Sequence, residues 1–219
     1  YDRPKYSSTC TDILLPELDT EIAWLLGILA GDGCVHLSDG EYRGGAVQIS
    51  IAPDLPATGD RAAAALRRFG VNAQVIDGDG CKVVSVKSRQ LAEYFSQFKR
   101  PHTSVSVPEC VLRGTPEIRG AWIAGLMDAD GSVKTRPIQV AGSVYPDFLR
   151  QVQAVLASLG VVSRMKLIRA AQGNWQDLYT LDVVSRDQVS AFVERVSGFG
   201  HKIPTVPQGA QFDYSVPYA

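Results

Sequence analysis

Leu25-Leu26-Gly27-Ile28-Leu29-Ala30-Gly31-Asp32-Gly33 and Ile123-Ala124-Gly125-Leu126-Met127-Asp128-Ala129-Asp130-Gly131 are two copies of one pattern in a chain of 219 residues. Each is an apolar run of helix-forming residues that closes on a small residue, an aspartate and a glycine. Thr20 is the expected N-cap of the first helix, with Glu21 in its first turn. Pro116 suits the first position of the second helix, after Gly114 or Thr115. Gly33 and Gly131 are the expected stops, as residues able to take a positive φ. Gly27 and Gly31, then Gly125 and Ala129, fall four apart and share a helix face, so two backbones can approach closely there. Neither run reaches the roughly 20 apolar residues that a membrane span requires.

The aspartates decide the chemistry. Asp32 and Asp130 end their helices, where the macrodipole disfavours a carboxylate. If the helices pack together, the acids also repel each other by about 3 kcal/mol at about 5 Å and an effective dielectric near 20. A divalent cation removes both penalties, because hard cations accept one or two carboxylates and fill the remaining positions with water and phosphate oxygens.

At these residues the chain resembles the LAGLIDADG homing endonucleases. The first copy is similar to the variant common in intein-borne members, and Gly125-Leu126-Met127-Asp128-Ala129-Asp130-Gly131 is very close to the family consensus. The resemblance covers about residues 20–204. It implies an α+β fold of two pseudo-symmetric αββαββα halves, each with an antiparallel sheet, together forming a DNA-binding saddle. It also implies Mg²⁺- or Mn²⁺-dependent cleavage of long double-stranded DNA targets, leaving short 3′ overhangs. The implied metal ligands are Asp32 and Asp130, and Gly31 and Ala129 complete the expected metal site. Family members commonly add a basic residue near each metal. Lys99 in Lys99-Arg100-Pro101 and Lys202 in Lys202-Ile203-Pro204 are the candidates here. The first motif has Ala30 where the second has Asp128.

The repeat stands without the family. After each motif come strand candidates, 34–37 with 46–51 and 132–136 with 137–141. Helices follow at 60–69 and 146–159, ending alike on Phe69-Gly70-Val71 and Leu159-Gly160-Val161. Next are strand candidates 73–76 with 82–86 and 163–168 with 178–184, then Ser-Arg openings of a last helix at Ser88 and Ser185. Equivalent landmarks lie 90 to 103 residues apart. The expected organisation is an arm at 1–19, halves at 20–110 and 111–204, and a tail at 205–219.

Alternation along the strands supplies the expected DNA surface. Gln48 and Ser50 face away from their aliphatic neighbours, and Arg164 shares a face with Lys166. Arg43, Lys82, Lys87, Lys134, Arg136, Gln139 and Arg169 are further candidates on strands or their ends. Arg, Lys and Gln on a ribbon in the major groove can read bases or hold phosphates.

Composition sets the frame. The net charge is −1 and the isoelectric point about 6.3, neither of which announces a nucleic-acid binder. Residues 1–110 carry 11 basic and 14 acidic residues, whereas 111–219 carry 11 and 9. Cys10, Cys34, Cys81 and Cys110 have no CxxC or His-paired spacing, which argues against zinc and a disulfide framework. His36, His102 and His201 form no ligand motif. No secretory or transmembrane segment is evident, so an intracellular protein is expected. A single chain with two unequal halves is expected to act as a monomer on an asymmetric or pseudo-palindromic target. Intein splicing domains begin with Cys or Ser and finish with His-Asn; Tyr1 and Ala219 match neither pattern. Freestanding, intron-encoded and intein-excised enzymes all remain open. The rival functions on the same fold are a non-cleaving DNA-binding regulator and an intron RNA maturase.

Overall fold

The computed structural model describes residues 12–38, 44–53, 55–100, 104–133 and 137–206. Its elements run α1 (Thr20–Asp32), β1 (Gly33–Leu37), β2 (Gly45–Ile51), α2 (Pro56–Arg67), β3 (Gln74–Asp77), β4 (Lys82–Lys87) and α3 (Arg89–Phe95). A short ribbon of β5 (Lys99–Arg100) with β6 (Ser104–Val105) and a single turn, α4 (Glu109–Leu112), follow. The rest is α5 (Pro116–Asp130), β7 (Ile138–Ser143), α6 (Pro146–Ser158), β8 (Arg164–Arg169), β9 (Leu178–Val183), α7 (Arg186–Arg195) and a 3₁₀ turn (Ser197–Phe199).

Helices α1 and α5 form the centre. Every residue of α1 from Ile22 to Ala30 is buried, as is every residue of α5 from Gly120 to Asp128. A helix apolar on all sides is one that is enclosed on all sides. The small-residue stripe permits the close approach. A Cβ on Gly27 would lie 2.1 Å from the Trp122 carbonyl oxygen, and one on Gly125 would lie 2.0 Å from that of Trp24. No side chain fits at either crossing point.

Around this pair lie a four-stranded antiparallel sheet in the order β1-β2-β4-β3 and a three-stranded one in the order β7-β9-β8. The first covers its core with Val35, Val47, Ile49, Val84 and Val86, against α2 and an edge-to-face cluster of Phe69, Tyr94, Phe95 and Phe98. The second places Val140, Leu181 and Val183 against Phe148, Leu149 and Val152 of α6. Among the described residues no helix is long and apolar enough to cross a membrane.

Several local expectations change. Asp19, not Thr20, caps α1, its carboxylate accepting from Ile22 N–H at 3.0 Å. A carboxylate there also meets the favourable end of the helix dipole. Gly33 and Gly131 do end their helices, but at φ −76° and −75°, in extended backbone. Space, not handedness, demands glycine: a Cβ would meet Leu29 O at 2.4 Å and Met127 O at 2.6 Å. Helix α2 begins at Pro56, four residues earlier than expected, with proline in its first turn. In the second half the expected strand 132–136 is represented by one bridge, Ser132 to Gln139; residues 134–136 lie outside the described residues. Thr115 caps α5 before Pro116, and Ser88 and Ser185 cap α3 and α7.

Candidate active site

The packing of α1 on α5 brings their C-terminal ends together. A methyl group on Gly31 would lie 2.5 Å from Ala129 Cβ and 3.4 Å from Asp130 Cγ. Asp32 and Asp130 therefore share one place. Burial raises the Asp130 carboxyl to about 6, and the Asp32 carboxylate adds to the rise while Lys99 and Lys202 oppose it. Asp32 is likewise raised by burial, against the pull of Lys202 and Lys99. These are carboxylates held at a cost that a cation would relieve.

Both lysines are present. Lys99, at the start of β5, donates its ammonium to Ala30 O at 2.7 Å and Gly31 O at 2.6 Å. Lys202, after the 3₁₀ turn, donates to Ala129 O at 3.0 Å and Gly131 O at 2.8 Å. Each ammonium thus caps one motif helix, where a positive charge is favoured. Burial pushes the Lys99 amine down, and Asp130, Asp32 and Cys34 pull it back up. The carbonyls of Gly31 and Ala129, expected beside a metal, already accept from these amines. A carbonyl has two lone pairs, so one on each is left for another partner. A cleft of ≈190 Å³ opens here, with Gly31, Lys99, Asp130, Ser143 and Tyr145 in its wall.

No cluster of three or more His, Cys, Asp or Glu able to hold a metal occurs among the described residues. Two carboxylates with neighbouring carbonyls are what the chain offers. That donor set fits a hard cation such as Mg²⁺ or Mn²⁺, which keeps water and phosphate oxygens in its other positions. Structural zinc sites instead take four Cys and His ligands.

Register sorts the surface candidates. In the first sheet one row across the strands is Cys34, Gln48, Ser85 and Gln74, and the rows on either side add Ser50 and Lys87 to the same face. Lys82 does not join them. It pairs with Ile51 and shares the face of Val84 and Val86, where its amine is ion-paired to Asp77. In the second sheet Gln139, Asp182 and Arg164 form one row, with Lys166 in the next. A bulge at Ile168 returns Arg169 to this same face, opposite Leu178. Arg43, Lys134 and Arg136 lie outside the described residues.

Some contributors carried no signal in the sequence. Asp182 lies buried among Arg164 and Lys166; burial raises its carboxyl and those two cations oppose the rise. Trp175 is 66% exposed at the β8–β9 turn, with the Arg169 guanidinium 4.7 Å from its ring centroid. Asp128 is 5% exposed and accepts from Trp24 Nε1 at 2.8 Å. Its position between the two halves follows only from the packing.

Two pseudo-equivalent helices ending in paired acids, flanked by antiparallel sheets with polar outer faces, define a class of fold. Residues 117–197 match the family model of a LAGLIDADG-like domain. The chain is similar to the homing endonuclease I-DmoI, in a structure of its mesophilic variants, with TM-score 0.66 and 20% identity over 88% of this chain and 95% of that one. It is similar to I-DmoI in complex with DNA and Mn at TM-score 0.64 and 20% identity, covering 84% and 98%. It also resembles the homing endonuclease I-WcaI bound to its DNA recognition sequence, with TM-score 0.54 and 12% identity over 85% of each chain. No curated protein sequence matches the chain. The chain has the fold of the LAGLIDADG homing endonucleases.

Proposed function

We propose that this protein is a homing endonuclease that hydrolyses both strands of a specific double-stranded DNA site, using a divalent cation held by Asp32 and Asp130. The observation that carries the reading is the meeting of these two half-buried acids at the ends of the packed motif helices, with both lysines beside them. Magnesium or manganese bound there would polarise a water molecule and neutralise charge on the scissile phosphate. Asp32 and Asp130 act as ligands in their ionised forms, with the free lone pairs of Gly31 O and Ala129 O adjacent. Lys99 and Lys202 hold two positive charges at the same place, fixed by the helix-end carbonyls, where charge develops on the phosphate.

The outer sheet faces bind the duplex in this reading. Arg164, Lys166 and Arg169 hold phosphates or read guanine, and Gln48, Ser50, Lys87 and Gln139 complete the contacts. The halves at 20–110 and 111–204 differ in sequence, so one chain acts as a monomer inside the cell on an asymmetric or loosely palindromic site. Cleavage leaves short 3′ overhangs.

The test is selection of cut sites from a randomised duplex library with Mg²⁺, beside Asp32→Asn and Asp130→Asn. The expected result is double-strand cutting at a defined site, abolished by chelation and by either variant. Binding of a selected duplex without cutting, under any divalent metal, would leave a DNA-binding protein and end the nuclease reading.

A further inference from the structure

A shift of 98 residues relates Trp24 to Trp122, Ala30 to Asp128 and Asp32 to Asp130. The two tryptophans are fully buried, yet their indole N–H groups fare differently. That of Trp24 donates to Asp128 Oδ2 at 2.8 Å, whereas that of Trp122 has no hydrogen-bond partner among the described residues. Under the repeat, the residue set to answer Trp122 is Ala30, which has no acceptor to offer. The second motif thus carries a device that the first lacks.

The device reaches further than Trp24. Asp128 also accepts from the backbone N–H of His201 at 2.9 Å and from that of Lys202 at 2.8 Å. The backbone lies tight on the carboxylate, since a Cβ on Gly200 would sit 3.1 Å from both its oxygens. Consecutive N–H groups aimed at one carboxylate make strong, charge-assisted bonds. From the backbone fixed in this way the Lys202 side chain runs back to the carbonyls of Ala129 and Gly131.

We propose that Asp128 is a positioning residue: by holding the N–H groups of His201 and Lys202 it sets the Lys202 ammonium at the end of α5, beside the motif acids. Among the described residues no carboxylate holds the backbone at Lys99 in this way. Its backbone is set instead by strand pairing with Val105 in the β5–β6 ribbon. The two ammonium groups of the candidate site are therefore held by unlike means. The functional meaning rests on the nuclease reading above; the placement itself does not.

The test needs no DNA. The full chain, free of metal, is acetylated at fixed pH, and labelling rates at Lys202, Lys99 and Lys87 are read by mass spectrometry. Lys202 and Lys99 should label more slowly than the exposed Lys87. In Asp128→Ala the Lys202 rate should rise about tenfold, the scale at which lost supporting contacts are felt, with Lys99 unchanged. Asp128→Ser, too short to reach the two N–H groups, carries the same expectation if the alanine variant does not fold. Asp128→Asn keeps an acceptor for them and should restore slow labelling. Trp24→Phe should lower thermal stability and leave Lys202 slow. The inference is overturned if Lys202 labelling is unchanged in Asp128→Ala and Asp128→Ser, if Lys99 rises with it, or if Trp24→Phe frees Lys202 equally. Any of those outcomes would leave the nuclease reading untouched, and an inactive enzyme would leave this inference untouched.

Discussion

The two halves of the molecule share a backbone plan and differ in how they use it. Each supplies one motif helix, one terminal acid and one lysine that caps its helix. The outer face of the first sheet is nearly uncharged, with Gln48, Ser50, Gln74, Ser85 and a single strand cation, Lys87. The corresponding face of the second carries Arg164, Lys166 and Arg169 around the buried Asp182. The first half keeps Ala30 where the second keeps Asp128. What the difference teaches is that the terminal acids and their neighbouring lysines are matched while the residues that support them are not. Divergence grows toward the surfaces that would meet the target.

The hardest blow to that symmetry is to remove one acid at a time. Asp32→Asn and Asp130→Asn should each lower double-strand cleavage of the selected duplex by more than about 100-fold, beyond the loss usual for supporting residues. The check is single-turnover kinetics with both strands labelled. If one variant cuts like the unaltered protein, the halves are not equivalent and the paired site is wrong.

Proton linkage comes next. Asp130 titrates near 6 in the folded chain against an ordinary 3.8. Between those values the folded state binds more protons than the unfolded one. Stability without metal should therefore fall as pH rises from about 4 to about 6, and stay low above. Asp130→Asn should reduce that fall, leaving the part due to Asp32, and gain on the order of 2 kcal/mol at pH 7. Asp32 shifts in the same direction. Added Mg²⁺ should raise the melting temperature at pH 7.5 and do little at pH 5, where protons compete for the same carboxylates. Melting curves across pH for both proteins, with and without Mg²⁺, decide it.

The tryptophans sharpen the comparison at smaller scale. Trp24→Phe and Trp122→Phe remove similar volume from equivalent places. Only the first breaks a hydrogen bond and leaves a buried carboxylate short of a donor; the second removes an N–H that has no partner among the described residues. Trp24→Phe should be the more destabilising by about 1–3 kcal/mol. Equal losses in urea melts would mean that the two sites are energetically alike.

Much of this was legible in the residues, and the remainder was not for definable reasons. The motif helices, Ser88 and Ser185 as caps, and Pro116 at a helix start follow from local chemistry, which short windows contain. The first-turn partner of α1 was misread because Asp19 and Thr20 are both good caps and only geometry chooses. Lys82 was placed among the DNA-facing candidates. Strict alternation from Val84 and Val86 puts it on their face, but its charge suggested the other. Arg169 joins the face of Arg164 against alternation, since only the bulge at Ile168 turns it there. Asp128 was seen only as a difference between motifs, because its partners lie 104 and 73 residues away.

The smallest effects are expected on the sheet faces, where the comparison of halves becomes quantitative. A phosphate contact contributes mainly by releasing counterions, so each one lost should flatten the plot of log affinity against log salt by about 1. Arg164→Gln, Lys166→Gln and Arg169→Gln should each do this at a cost of about 1 kcal/mol. Gln48→Ala and Ser50→Ala should leave the slope unchanged, since neither carries charge, and act only through the identity of the bases they meet. Fluorescence anisotropy of the selected duplex over a salt series separates the two behaviours. If Gln48→Ala changes the slope as much as Lys166→Gln, the first face does not differ from the second in the way its charges indicate. Both halves would then grip the backbone alike, and the contrast drawn between the two faces would have to be withdrawn.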